Sequence, residues 1–238
     1  MNIRILAISI GIAIAVISIV VFISLDTNAP GNENNTTLIQ PENVDQAKPG
    51  GNKIDFSLFS AKATSLLGSP SATVTLVEFG DYQCFHCNKF FHNTESGIEK
   101  NFIDTGKVKM IFKDFTIIGE DSFGAAHASH CANEEGMFWE YHDTLYNHWT
   151  GENNGWASYD NLVEFAKQIG LDEKKFEECM NDGRYDSVIE ENNSHAKALG
   201  IRGTPAFFII SPDGEVINVV GSQPYEVFEK IFESVLKK

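Results

Sequence analysis

The chain has 238 residues, 42% of them hydrophobic and 11% aromatic, enough apolar material for at least one well-buried core. Eighteen Lys and Arg stand against 33 Asp and Glu, a formal charge of −15 with no basic run to offset it, which excludes binding to a nucleic-acid backbone. The four cysteines, Cys84, Cys87, Cys131 and Cys179, fit two disulfides in an oxidising compartment or one tetrahedral metal site, so the compartment must be read elsewhere.

Ile5 to Leu25 is an uncharged run of 21 residues, close to the roughly 20 that span a bilayer. It is expected to be an uncleaved transmembrane helix within residues 1–26. The competing reading, a signal peptide, usually has an apolar stretch of only about 7 to 15 residues, and Pro30 follows the one small-residue site, Thr27-Asn28-Ala29. Arg4 and the amino terminus place the start of the chain inside and the remainder outside the cell membrane. Residues 27–55 turn to Asn, Gly, Pro, Gln and Thr with no apolar period, which describes a flexible linker. Sequons for N-glycosylation begin at Asn34, Asn35 and Asn192.

The globular part is expected over residues 56–238. Thr73 to Phe79 is β-branched and aromatic and reads as a strand. Phe90, Phe91, Ile98 and Phe102 then recur at helical spacings, so the Cys84-Phe85-His86-Cys87 motif falls at a strand-to-helix junction. Lys107 to Phe115 gives a second strand. An insert over about 121–199 reads as helical, with Gly170 as a stop and Asp172 as a cap. Ala206 to Ile210 and Glu215 to Val220 form a hairpin across Ser211-Pro212-Asp213-Gly214, and Tyr225 to Lys237 is a closing helix.

A cysteine at a helix start faces unpaired backbone N–H groups and the positive end of the helix dipole, both of which favour thiolate. Cys84 is therefore expected as the nucleophile, and Cys87, one turn later, as the thiol that resolves a mixed disulfide. His86 can add positive charge or a hydrogen-bond donor to that thiolate. Stabilising the thiolate favours the reduced form and makes the disulfide a stronger oxidant. Glu78 sits on an otherwise apolar strand. Either it faces water, or it faces inward, where burial raises its pKa and lets it relay the proton of Cys87. Pro205 in Gly203-Thr204-Pro205-Ala206 precedes a strand and by local sequence marks only an edge, since about 5% of X-Pro bonds are cis. A Cys2His2 metal set of Cys84, Cys87, His127 and His130 has usable spacing but lacks the setting of a zinc knuckle, and no metal is expected. His92, His142, His148 and His195 suggest no role.

Taken together, the CFHC motif after its strand, the Gly203-Thr204-Pro205 segment before a later one and the helical insert between resemble the DsbA-like branch of the thioredoxin superfamily. The resemblance implies an α/β thioredoxin-like fold with an inserted helical subdomain, here preceded by one transmembrane helix. It implies that Cys84 is the exposed nucleophile, that Glu78 is a buried acid, that Pro205 is cis, and that Thr204 and Phe85 contact substrate, Thr204 offering its backbone as an added strand. Some members carry a second, structural disulfide in the insert, which here implies a Cys131–Cys179 bridge; two buried free thiols are the alternative. Phe85 departs from the Pro commonest at its position.

The expected activity is thiol–disulfide exchange, with the Cys84–Cys87 disulfide and no other cofactor, introducing disulfides into reduced exported polypeptides. The expected reoxidising partner is a quinone-linked membrane protein resembling DsbB or a vitamin K epoxide reductase homologue. No dimerisation segment is evident, and a monomer is expected. The same pair kept reduced would serve an isomerase or reductase, and a peptide groove at Thr204-Pro205 without exchange would serve a chaperone.

Overall fold

The structure is a computed structural model that describes residues 56–60 and 66–238. The expected span Ile5–Leu25, the linker at 27–55 and the sequons at Asn34 and Asn35 lie outside the described residues. Among the described residues no helix is long and apolar enough to cross a membrane.

After a turn of helix α1 (Ser57–Ser60), strands β1 (Leu66–Leu67) and β2 (Val74–Gly80) lead into helix α2 (Phe85–Phe90). This helix runs on through π-helical turns Phe91–Glu95 and Glu99–Ile103, which flank α3 (Ser96–Ile98). Strand β3 (Val108–Asp114) follows, then the insert: α4 (Glu120–Asn133), α5 (Phe138–Asn147), α6 (Tyr159–Gln168), α7 (Glu173–Asp182) and α8 (Asp186–Ala198). Strands β4 (Ala206–Ile210) and β5 (Val216–Val220) and helix α9 (Tyr225–Val235) close the chain. The sheet order is β1-β3-β2-β4-β5, with β2 parallel to β3 and the other pairings antiparallel.

Both faces of the sheet are covered, so its central strands read as nearly continuous apolar runs. Val74 and Leu76 of β2, Met110 of β3 and Phe207 and Ile209 of β4 pack on Phe90, Ile98, Phe102, Phe228 and Phe232. Val77, Phe79 and Phe208 face the other way, onto Phe59, Phe115 and Ala196. Period-two alternation therefore puts Glu78 in the row of Val74 and Leu76, on the face that carries α2. A third cluster fills the insert and extends to Tyr82, Cys84 and Cys87, so the helical subdomain and the cysteine motif share one core.

The punctuation of the insert follows the sequence. Gly170 takes a φ of +89° after α6, a conformation that L side chains rarely adopt, and Asp172 caps α7 by accepting the Lys175 N–H at 3.2 Å. The sequon at Asn192 is set aside by burial: the side chain is 0% exposed and donates to Asp114 Oδ2 at 2.9 Å.

Candidate active site

Strand β2 ends at Gly80, and the chain turns at once. Asp81 organises the turn: its Oδ1 accepts the Gln83 N–H at 2.9 Å, and its Oδ2 accepts the Ile117 and Ile118 N–H groups at 2.7 and 2.9 Å. The Asp81 carbonyl takes the Cys84 N–H at 3.0 Å. Burial pushes the Asp81 carboxyl up, and these hydrogen bonds partly pull it back. The turn after β2 is thus fastened to the loop after β3, which delivers Cys84 in extended conformation as the residue capping α2.

Cys84 and Cys87 are both free thiols. A hydrogen bond from the Cys87 thiol is the largest influence on Cys84, and burial opposes it. Contact with Thr204 and the backbone N–H groups of Cys87 and His86 add to the first, bringing the Cys84 pKa down to about 6. Cys84 Sγ lies 3.3 Å from the Thr204 carbonyl oxygen, and the Thr204–Pro205 bond is cis. The expectation of an exposed sulfur is corrected here. Cys84 keeps only 3% of its surface, with the Thr204 carbonyl against its sulfur. Exposure belongs to the two residues between the cysteines: Phe85 is 50% exposed, and the His86 ring meets its edge at 5.3 Å. His86 reaches the sulfur through its backbone N–H, and its ring makes no hydrogen bond to it.

Below Cys84 the site is closed. Cys87 is fully buried, and burial first, then its bond to Cys84, pushes its thiol well up. Glu78 is 1% exposed, and neither carboxyl oxygen finds a hydrogen-bond partner among the described residues. Burial, then the charges of Glu95 and Cys84, raise it well above the usual carboxylate range. Glu95 comes inward on the π-helical turn Phe91–Glu95, 3.6 Å from His142 Nε2, while His142 Nδ1 lies 3.1 Å from the Tyr82 hydroxyl. Neither Glu95 nor Tyr82 was signalled by the sequence. The unwound turn that rotates Glu95 inward has no simple periodic signature.

The insert also reaches the motif. Trp149 Nε1 donates to the Gln83 carbonyl at 2.9 Å, the Asn153 N–H donates to Gln83 Oε1 at 2.9 Å, and the Phe85 N–H donates to Glu152 Oε1 at 2.9 Å. Asn88 of α2 donates to the Tyr146 carbonyl at 2.8 Å. These contacts join residues 58 to 70 apart in the chain, a separation that no local pattern reports.

Cys131 of α4 and Cys179 of α7 are joined in a disulfide. His127 lies 3.0 Å from Asp186 Oδ1 and 3.1 Å from the Cys179 carbonyl, and His130 Nε2 lies 2.8 Å from Asp114 Oδ2. Among the described residues the group with metal-ligand spacing is His127, Cys131 and Cys179, whose sulfurs are already bonded to each other. The two histidines are not brought to Cys84 and Cys87. On the far face of the sheet Lys113 is buried, donating to the Leu58 carbonyl at 3.0 Å and lying over the Phe79 ring; burial lowers its pKa to about 8.

The family model for thioredoxin matches residues 60–233. Disulfide bond formation protein D of Bacillus subtilis is 30% identical over 153 residues, covering 63% of this chain and 69% of that protein. The probable disulfide bond formation protein D of Bacillus cereus is 24% identical over 199 residues, 82% and 87% of the two chains. Among solved structures, oxidised BdbD from Bacillus subtilis superposes with a TM-score of 0.67 at 27% identity, covering 74% of this chain and 94% of that one. Alpha-DsbA1 of Wolbachia pipientis gives 0.65 at 25% identity, covering 72% and 90%. With a cysteine pair at the start of α2, a cis proline facing it and a helical subdomain between β3 and β4, the chain belongs to the thioredoxin superfamily, among its DsbA-like thiol:disulfide oxidoreductases.

Proposed function

We propose that the protein is an oxidase: it donates a Cys84–Cys87 disulfide to reduced, newly exported polypeptides from the outer side of a membrane in which Ile5–Leu25 is its single-pass anchor. The observation that carries this reading is the asymmetry of the two thiols. Cys84 is held near 6 by hydrogen bonds to its sulfur, while Cys87 is pushed up by burial. A stabilised Cys84 thiolate favours the reduced pair, so the oxidised pair gives up its disulfide readily.

A substrate thiolate attacks Cys84 Sγ, the Cys84–Cys87 bond breaks, and Cys87 leaves as a thiolate. Buried Glu78, its carboxyl held well above the usual range by burial, is the nearby group suited to give Cys87 a proton and to take it back on reoxidation. A second substrate thiolate then attacks the substrate sulfur of the mixed disulfide, and Cys84 leaves as a thiolate. The substrate has lost two electrons and the enzyme has gained them. Phe85 and the Thr204-Pro205 segment supply the surface on which the peptide is held, Thr204 in the manner of an added strand. The electrons pass on to a membrane partner resembling DsbB or a vitamin K epoxide reductase homologue, and the protein works as a monomer.

Acid quenching of living cells followed by thiol alkylation tests the direction. A mostly oxidised Cys84–Cys87 pair supports the oxidase, and a mostly reduced pair overturns it in favour of an isomerase or reductase.

A further inference from the structure

The start of α2 offers backbone N–H groups, and their use is divided. Those of His86 and Cys87 serve the Cys84 sulfur. That of Phe85 is taken by a carboxylate oxygen, Glu152 Oε1, at 2.9 Å. Glu152 comes from the loop between α5 and α6, so an acidic side chain of the insert shares one helix start with the sulfur whose anion that helix start favours. Two like charges at one positive end oppose each other.

The loop is built to hold this arrangement. Asn153 is the one non-glycine residue at positive φ among the described residues, at 53°, and asparagine tolerates that conformation better than most. Its backbone N–H is bound by Gln83 Oε1 and its Nδ2 donates to the Ile118 carbonyl at 3.2 Å. Its Oδ1 occupies the space beside Gly119, where an added Cβ would fall only 1.7 Å away. Trp149 anchors the other side of the loop on the Gln83 carbonyl and lies 5.9 Å from the Phe85 ring. Glu152 is thus fixed between tethers on both sides.

We propose that Glu152 is a positioning residue that secures the first turn of α2 and, by the charge it places there, keeps the Cys84 thiolate less stable than the helix start alone would make it. The insert thereby sets an upper limit on how strongly the disulfide oxidises. This rests on the reading of Cys84 as the nucleophile.

Glu152→Gln keeps an acceptor for the Phe85 N–H and removes the charge. In the full-length reduced protein, titrated by its ultraviolet thiolate absorbance, the acid dissociation constant of Cys84 is expected to rise about threefold. The equilibrium in which the enzyme disulfide and two glutathione thiols give the dithiol and glutathione disulfide is expected to move about threefold toward reduced enzyme, about 14 mV. Gly119→Ala, which displaces Asn153 and with it Glu152, is expected to move the same equilibrium in the same direction. Added salt should shrink the Glu152→Gln difference. A Glu152→Gln protein that matches the wild type in both measurements, or whose Cys84 is less acidic, overturns the proposal. A Cys84→Ala protein that retains the low-pH thiolate signal removes instead the reading of Cys84 on which it stands.

Discussion

Cys84 and Cys87 are 3% and 0% exposed, and Cys131 and Cys179 are 4% and 1%, so burial does not separate the two pairs. What separates them is what each sulfur meets: Cys84 accepts a hydrogen bond from the Cys87 thiol, whereas Cys131 and Cys179 are bonded to each other. Cys84 precedes the first turn of a helix, where N–H groups without a helical partner point at its sulfur, and a carbonyl lies 3.3 Å away on the other side. Cys131 and Cys179 lie within α4 and α7, where the main chain is occupied by the helices, and their bridge joins two elements 48 residues apart. The Cys84 thiol is made more acidic first by its hydrogen bond from Cys87 and then by Thr204 and the N–H groups at the helix start, not by access to water.

The sharpest way to break the comparison is to remove one sulfur from each pair. Cys84→Ala should reduce exchange with a dithiol peptide by at least about a thousandfold, as loss of a nucleophile does; residual activity near that of the wild type would assign the chemistry to other groups. Replacing Cys131 and Cys179 with alanine together should leave exchange intact at low temperature but lower the unfolding free energy by about 4 kcal/mol, the chain-entropy value for a loop of 48 residues. Urea titration of the two forms checks this, and loss of exchange without loss of stability would move the second pair into the chemistry.

Glu78→Leu separates folding from function within the reactive region. The native carboxyl is buried without a hydrogen-bond partner among the described residues, so its removal should raise stability by about 2 kcal/mol. Its folded pKa lies above the unfolded one, so the native group is penalised as pH rises from the usual carboxylate range, and the gain should be larger at pH 7 than at pH 4. The same variant should slow exchange on the order of a hundredfold if Glu78 handles the Cys87 proton. A variant that exchanges at the wild-type rate would leave Glu78 without that task.

The smallest of these effects is a pH dependence. The Cys84 pKa is lowered to about 6 in the folded dithiol, so its contribution to stability is full above the unfolded thiol range and is lost as pH falls through 6. At pH 7 this contributes about 1 kcal/mol to the stability of the reduced form relative to the oxidised form, and at pH 5 that contribution should vanish. Alkylation of Cys84 should follow the same midpoint. A midpoint near 9 would return Cys84 to the company of ordinary thiols.

The order of strands and helices was legible because both sheet faces are buried and the helices carry plain apolar periods. Val74 to Phe79, Ala206 to Ile210 and Tyr225 onward are examples. The CFHC motif announced its own position at a strand-to-helix junction. The orientation of Glu78 was not settled by its strand. It is decided by which row of β2 meets α2, and the sheet pairing supplies that. Asp81, Glu95, Trp149, Glu152 and Lys113 went unread because their partners are distant in sequence, and the exposed Cys84 that the resemblance implied is in fact buried, with the Thr204 carbonyl against its sulfur. The buried sequon at Asn192 shows the same limit: three letters carry no information about packing.

The hydrogen bonds on Gln83 and Phe85 bear on transplantation. A designer who moves Cys84-Phe85-His86-Cys87 into a small thioredoxin scaffold brings along the sulfurs, the intervening dipeptide and the helix start. Trp149, Glu152 and Asn153 stay behind, and so does the surface they press against the turn. The recipient would therefore inherit the letters of this motif without its calibration, and the smallest portable unit of this chemistry spans the turn and the loop between α5 and α6 together.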